Sequence, residues 1–598
     1  MSTRIADKSA LIRKLQTLEG LSNEEKSALI GLLRDHKKYG LVWEDKPEDV
    51  EERLREQLPV LREVKDKAIL SDAPDAPNHI LIEGDNLEAL TALSYTHEGK
   101  IDVIYIDPPY NTGNKDFVYN DLFVDTEDNY RHSKWLSFMN KRLKIAKKLL
   151  SDKGVIFISI DDNEQANTKI LCDETFGRSN FIAQVIWERA YSPVNLKKHF
   201  SENHDYIIVY AKRIENAVNN GLPRSNEANE RYSNPDNDPR GVWKSTDCTV
   251  GPAVEDKLYQ ITLPSGRIVN PPSGRCWLFT KDRFEEMLAD NRIWFGANGD
   301  SVPAVKKFLS EVKQGITPMT IWKYSEVGHS QDAAKEVKDI FSGEARFTYP
   351  KSMRLIKRCI GLYSQESSII LDFFAGSGTT LHSTMQLNAE DGGHRQCILV
   401  TNNENNICEE VTYERNKRVI NGYTTSKGIE VEGLKANTLR YYKTDFVSRD
   451  RTQKNMRDLV AAATDMLCIK EDLYDEEKTF GRFKLRPQLA RYFNNRIKHM
   501  LIIYREELID EIAAEIKNLD FGKIRLKIYV FSPGRYAFND NFNEVEDKVE
   551  LVALPAAIYD AYQRVLPKRR EKLFAEEKEQ ETVIQSDLFE GQEEGGEA

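Results

Sequence analysis

Residues 105–113 read YIDPPYNTG, and they close an apolar run in which Ile101, Val103, Ile104 and Ile106 alternate tightly enough for a buried strand. Proline lacks an amide donor and clashes with the α region, so Pro108 and Pro109 enforce an abrupt, rigid turn. A rigid turn at a strand end either joins two elements or fixes side chains for chemistry. Here it would fix a carboxylate (Asp107), a carbonyl with no neighbouring donor (Pro108) and a flat ring (Tyr110) within one short block.

A second stretch with chemical content is SSIILDFFAGSGTTLHSTMQLNA, residues 367–389. A strand ends in Phe374-Ala-Gly-Ser-Gly, and a helix is expected from about Thr379. Gly376 and Gly378 permit a tight turn and close approach of a ligand to backbone. The helix start behind them offers free amides and a positive dipole end. The loop lacks the third glycine of GxGxxG, and no GxxxxGK[ST] occurs in the chain, which argues for a nucleoside cofactor without a pyrophosphate. A plain strand–helix turn would use the same glycines, so this loop alone is weak evidence.

Around these two stretches, short apolar strands alternate with helices over 78–212 (HILIEG, KIDVIYIDPPY, GVIFISIDD, HDYIIVYAK) and again over 345–423. Such alternation predicts an α/β fold with a mostly parallel sheet covered on both faces. Residues 1–75 read as a helical segment, with amphipathic stretches around LIRKLQTL, EEKSALIGLLRDH and EDVEERLREQLPVLREVKD. The catalytic half of the α/β core is placed at 76–212 and the cofactor half at 341–429. Between them, 213–340 is rich in Pro, Gly and Asn, with Trp243, Tyr259, Trp277 and Trp294 interspersed, and reads as an inserted loop-rich domain. A separate α+β domain is expected over 430–570, and an acidic, disordered tail over 571–598.

Bulk properties bound the function. At 598 residues the chain should hold about two to four domains. Its 40% hydrophobic and 30% charged content is that of a soluble globular protein. It shows neither a run of the roughly 20 apolar residues of a membrane span nor a signal-type apolar start, so a cytoplasmic location is expected. Seven cysteines, an odd count without a CxxC pair, argue for reduced thiols and against a metal ribbon; no metal site is expected. The net charge of −11 includes −8 from residues 571–598, so the body is nearly neutral and a basic cleft for nucleic acid is not excluded.

Together, DPPY and DFFAGSGTT resemble the two signatures of amino-group DNA methyltransferases. The catalytic block precedes the cofactor loop, an order similar to the circularly permuted β class of adenine-N6 and cytosine-N4 enzymes. The resemblance is closer still to the modification subunit of type III restriction–modification systems. It rests on IEGDNLEAL (82–90), DVIYIDPPYNTGNKDFVYND (102–121), GVIFISIDDNE (154–164), YPKSMRLIKRCI (349–360) and DFFAGSGTT (372–380), and covers roughly 75–425. It implies a permuted class I, Rossmann-like methyltransferase sheet with an inserted target-recognition domain, S-adenosylmethionine as cofactor and a flipped adenine in double-stranded DNA as substrate.

In that reading Asp107 and the Pro108 carbonyl accept the two N–H bonds of the exocyclic amine and free its lone pair for in-line attack on a methyl sulfonium. Tyr110 stacks on the flipped base, and Pro109 with Pro108 removes slack. No nucleophilic cysteine is required. On the cofactor side the resemblance implies Asp372, Phe374, Gly376, Gly378 and Thr379 in the loop. Asp85 would lie near the cofactor's adenine, or else simply cap the helix before LEAL. Glu404 would hold the ribose hydroxyls, with Asn402 as a substitute. Lys351 would hold the methionine carboxylate, a surface lysine being the bland alternative.

Implied partners are a second copy of the chain and a restriction helicase–nuclease subunit, with the enzyme associated with the nucleoid. The alternatives are a cytosine-N4 enzyme, or a non-catalytic DNA-recognition scaffold that delivers a restriction subunit; an intact Asp107–Tyr110 block favours catalysis. In the acidic tail, Gln585-Ser586-Asp587-Leu588-Phe589 is similar to short motifs that dock bacterial sliding clamps, and a tail that only improves solubility is the competing reading.

Overall fold

The computed structural model describes Ser22, Lys26 and residues 43–569, apart from positions 115, 121, 126, 194, 196, 224–228 and 312–314. The first 42 residues are otherwise outside this range, as are the tail at 571–598 and its Gln585–Phe589 pentapeptide. The chain forms two compact units, one running up to Ala217 and again from Thr320, the other Val218–Met319.

Ten strands of the larger unit form one sheet. In chain order they are β1 (Gln57–Glu63), β2 (Asn78–Glu83), β3 (Ile101–Ile106), β4 (Leu150–Ile160), β5 (Phe181–Glu188), β6 (His204–Ala211), β7 (Ile321–Trp322), β8 (Ile369–Asp372), β9 (Gln396–Thr401) and β10 (Thr438–Ser448). Across the sheet the order is β1–β10–β2–β9–β8–β3–β4–β6–β5–β7. The run β10–β2–β9–β8–β3–β4 is parallel throughout, β6 is antiparallel to both β4 and β5, and β1 is antiparallel to β10.

All six residues of β3 are buried, as a central parallel strand requires when both faces are covered. The helices that matter here are α1 (Asp49–Glu56), α2 (Asn86–Thr96), α3 (Arg131–Leu149), α4 (Gln165–Cys172), α5 (Met353–Tyr363) and α6 (Thr379–Asp391). In α3, Leu136, Met139, Leu143 and Ala146 recur at helical spacing on the buried side, and Lys147 and Lys148 sit in the last turn, where the helix dipole favours cations.

Residues 57–63 differ from the helical reading of the N-terminal segment. Pro59 would break a helix, and QLPVLRE instead pairs with Ser448–Tyr442 as an edge strand, with four consecutive residues buried. The boundary expected at 430 precedes β10, which lies inside the central sheet. Beyond it, a five-stranded sheet of Glu476–Glu477, Ala490–Asn494, His499–Ile503, Leu526–Phe531 and Val549–Leu554 has its own core, built on Leu501, Ile516 and Ile528 among others.

The smaller unit carries a three-stranded sheet of Trp243–Asp247, Ile293–Trp294 and Ala304–Phe308. Its aromatic residues largely build its interior. Trp277 is fully buried, Trp243 is nearly so and packs edge-on to Trp294 at 5.2 Å, and Tyr259 packs edge-on to Phe284 at 6.2 Å. The Lys306 ammonium is buried beneath Trp243, between the carboxylates of Asp236 and Asp238.

Candidate active site

Strands β3 and β8 lie far apart in the chain but side by side in the sheet, parallel, with Ile104 opposite Leu371. Both therefore end at the same edge. The Asp107–Tyr110 turn and the Phe373–Gly378 loop leave the sheet next to each other, at the carboxyl ends where open α/β sheets bind ligands.

The first turn is pinned from beneath. The indole N–H of Trp135, fully buried in α3, donates to the Pro109 carbonyl at 2.7 Å. Asn111, the next residue after the block, is fully buried at φ 57°, a left-handed conformation that asparagine tolerates better than most residues. Its amide donates to Glu164 Oε1 at 2.6 Å and to the Arg131 carbonyl at 3.3 Å. Glu164 has no exposed surface and also pairs with His132 Nδ1 at 2.6 Å and the Asn167 amide at 2.7 Å. Burial raises its pKa and these partners oppose the rise.

Above the turn, the Lys351 ammonium donates to both oxygens of Asp107, at 2.7 and 2.8 Å, and lies 4.8 Å from the centre of the Tyr110 ring. The Tyr110 hydroxyl points toward Asp205 at 3.5 Å. Asp205 is buried and ion-paired with Arg189 at 2.8 Å; burial pushes its pKa up to about 6 against the opposing charges of Lys351 and Arg189. Burial, followed by the Asp107 and Asp205 charges, raises the Tyr110 pKa well above the ordinary phenol range.

In the second loop, the residues expected near a cofactor divide into two layers. Asp372 is buried and serves the loop itself: the Phe374 amide donates to one of its oxygens at 3.0 Å and the Thr380 hydroxyl to the other at 2.5 Å. Burial pushes its pKa up to about 7. Thr379 faces inward and accepts from Arg415 at 2.6 Å. A Cβ on Gly378 (φ 72°) would lie 2.4 Å from Asn416 Nδ2 and 3.2 Å from the Thr412 carbonyl, so this glycine answers a packing demand. Gly376 (φ 47°) lies on the open side, where an added Cβ would meet the Phe347 ring at 3.3 Å.

The open side is a cavity of about 470 Å³, within the usual range for a small-molecule site. Asp85, Asp107, Pro109, Phe374, Gly376 and Glu404 stand on its wall; Pro108, Tyr110, Lys351, Asp372, Gly378 and Thr379 do not. Asp85 also caps α2, accepting from the Leu87 amide at 2.7 Å, so its two competing readings coexist in one side chain.

Arg142 and Asn86, which the sequence reading passed over, complete the wall. The Asn86 amide donates to the Phe373 carbonyl at 3.1 Å and so ties the end of β2 to the glycine loop. Arg142, fully buried in α3, donates to Asn86 Oδ1 at 2.5 Å and Glu48 Oε1 at 2.9 Å. Its Nη2 makes no hydrogen bond and lies 3.6 Å from Asp85. The adjacency of Asn86 to the Asp85 cap was a usable signal. A basic residue on an otherwise apolar helix face was the only trace of Arg142.

Residues 101–421, more than half of the chain, match the N6_N4 DNA methylase family. The chain belongs to that family. Among curated relatives of this DNA methylase, the Mod subunit of the type III restriction-modification enzyme StyLTI of Salmonella typhimurium is 35% identical over 374 residues, 57% of this chain and 56% of that protein. The EcoP15I Mod subunit of Escherichia coli is 29% identical over 417 residues, 60% of this chain and 62% of that subunit. The type II methyltransferase M.KpnI of Klebsiella pneumoniae is 34% identical over 389 residues, 59% of this chain and 87% of M.KpnI. The methylase thus spans somewhat over half the length of the two Mod subunits it matches.

Proposed function

We propose that the chain transfers a methyl group from S-adenosylmethionine to the exocyclic N6 of an adenine flipped out of double-stranded DNA. In this reading it is the modification and recognition subunit of a type III restriction–modification system, working with a restriction helicase–nuclease partner and with a second copy of itself. The observation that carries the reading is the emergence of the Asp107–Tyr110 turn and the glycine loop side by side, at one cavity wall.

The wall suits the cofactor. Six carboxylates line it (Glu48, Asp49, Asp85, Asp107, Asp116 and Glu404), which favours a ligand bearing a sulfonium and an ammonium. Arg142 Nη2, without a hydrogen bond, supplies the one guanidinium donor for a carboxylate. In this reading Glu404, exposed on the rim beyond β9, takes the ribose hydroxyls, and Phe374 with Gly376 forms the flat side. When bound, S-adenosylmethionine supplies an electrophilic methyl group.

The chain's own residues do the remainder. The Tyr110 ring stacks on the extruded base. Asp107 accepts one N–H of its amine and the Pro108 carbonyl the other, so the nitrogen lone pair is released from the ring. A carboxylate offers about four lone-pair positions, so Asp107 can hold the Lys351 ammonium and an amine hydrogen together. As the new C–N bond forms, the nitrogen gives up one proton, for which the Asp107 carboxylate is the neighbouring acceptor. Long-read sequencing of DNA from cells expressing the chain tests the proposal. Methyl marks on adenine N6 at one recurrent sequence are expected; marks on cytosine, or none, would overturn it.

A further inference from the structure

The segment 189–203 joins β5 to β6 at the same sheet edge as the Asp107–Tyr110 turn, because Asp205, the second residue of β6, faces the Tyr110 hydroxyl. It reads RAYSPVNLKKHFSEN, a basic stretch with two aromatic residues. One of them, Tyr191, packs against two rings of another segment: Tyr324 at 5.4 Å and His329 at 5.5 Å between ring centres. Tyr324 and His329 themselves stack at 5.7 Å with only 16° between their planes.

Three rings that met only to bury one another would hide their faces. Tyr191 is nevertheless 55% exposed and Tyr324 36%. The cluster is also held rigidly. His329 Nδ1 accepts from the Asp332 amide at 3.0 Å and so caps the helix Ser330–Ile340. The Ser330 amide donates to the Arg189 carbonyl at 3.1 Å, and the Tyr324 amide to Glu188 at 3.3 Å. Arg189 in turn is ion-paired with Asp205 at 2.8 Å. From the Tyr110 hydroxyl, one carboxylate and one guanidinium lead to a residue two positions from Tyr191, a span the backbone covers in roughly 7 Å.

On this basis, and resting on the proposed action on DNA, we propose that Tyr191, Tyr324 and His329 form a stacking platform for an unpaired nucleobase, separate from the Tyr110 position that takes the target. Exposed rings tilted 16–33° from one another suit a base, since every base has a π-face and stacking tolerates any sequence. Lys197, Lys198 and Lys323 are exposed on the flanking segments for the phosphates, partly offset by Glu202, which pairs with Lys197 at 3.2 Å. Extruding one base leaves its partner unpaired and free to leave the helix in turn, and a platform at this edge would lower the cost of that state.

The test uses the whole chain and two fluorescein-labelled 12-mers read by anisotropy: oligothymidylate, and a strand of the same length made only of abasic sites. The wild type should bind oligothymidylate at least about tenfold more tightly than the abasic strand. Tyr191→Ala/Tyr324→Ala should reduce this ratio to near one, while Tyr191→Phe/Tyr324→Phe, which keeps both rings, should preserve it. Lys197→Ala/Lys198→Ala should weaken both strands alike and flatten the salt dependence. Equal binding of the two strands by the wild type, an unchanged preference in the alanine variant, or its loss in the phenylalanine variant would each overturn the platform. Methyl transfer to plasmid DNA is measured separately. A wild type that prefers oligothymidylate yet transfers no methyl group would overturn the proposed activity and leave the platform standing.

Discussion

The Lys351 ammonium sits on both oxygens of Asp107, at 2.7 and 2.8 Å, and so joins two segments 244 residues apart at the centre of the site. The resemblance implied a different employment, holding the cofactor's carboxylate, and the two roles predict different losses. Lys351→Met should lower the rate of methyl transfer about 10- to 100-fold while changing S-adenosylmethionine affinity less than threefold, since a positioning charge acts mainly on the transition state. Calorimetry showing a large loss of cofactor affinity would return Lys351 to the cofactor.

Asp107→Ala removes the acceptor itself. Methyl transfer should fall by at least about 10²-fold, the scale on which a single charge-stabilising group is felt in a dry site. Cofactor affinity should stay within a few-fold, because Asp107 contributes one of six wall carboxylates. Single-turnover transfer of labelled methyl, beside calorimetry on the same preparation, separates the two. Turnover near wild type would remove Asp107 from the chemistry.

The two loop glycines should fail differently. Gly376→Val places a branched side chain at φ 47° on the open side of the loop, and S-adenosylmethionine binding should be lost, with a backbone strain of about 1–2 kcal/mol. Gly378→Ala puts a Cβ against Asn416 and Thr412, so the fold itself should suffer, by about 2 kcal/mol or more. Thermal melts without ligand distinguish them: the drop in Tm should be larger for the second, which adds a 2.4 Å clash to the strain that both share. The reverse pattern would exchange their roles.

Much of this division was legible in advance, and the part that was not has a physical cause. Proline and glycine act locally, so DPPY and FAGSG announced rigid turns without tertiary information. Side-chain orientation within the glycine loop was not local. Asp372 turns inward because the Phe374 amide and Thr380 hydroxyl need an acceptor there, and Thr379 because Arg415, also buried, needs one. Residues 57–63 carry a charge pattern compatible with either period, and pairing with β10, almost 400 residues away, decides for strand. The tryptophans at 243 and 277, in the sequence only aromatic residues scattered through a loop-rich insertion, are core, because a small unit with a three-stranded sheet has little else with which to fill its interior.

Asp372 also sets a pH dependence. Burial raises its pKa to about 7 in the folded chain, whereas an unfolded aspartate titrates near 3.9. Between those values the folded state binds the extra proton. This contribution to stability is therefore full below about pH 4 and lost as pH rises through about 7, by at most about 4 kcal/mol. Asp372→Asn mimics the protonated acid, its carbonyl accepting from the Phe374 amide and its amide donating to Thr380. The variant should exceed the wild type in urea titrations by a margin that grows from about 1.5 kcal/mol at pH 5 to about 4 kcal/mol at pH 8. Equal pH dependence in the two proteins would place the shift elsewhere.

The Asn111–Glu164 contact bears on how firmly the Asp107–Tyr110 turn is held. Asn111 adopts φ 57° directly after Tyr110, and its amide is satisfied by Glu164 at 2.6 Å inside a site with no exposed carboxylate surface. Glu164→Ala would take its shorter partner from the buried Asn111 amide, which keeps only the 3.3 Å contact to the Arg131 carbonyl, a cost of about 1–3 kcal/mol. The turn would then lose its lower anchor on this side and keep the Trp135–Pro109 hydrogen bond at 2.7 Å. Methyl transfer should fall about 10- to 100-fold, while cofactor binding, which depends on the opposite loop, should change little. Glu164→Gln retains one acceptor and should recover most of the stability and part of the rate. A Glu164→Ala protein with normal turnover would show that Trp135 and the two prolines suffice to fix the turn.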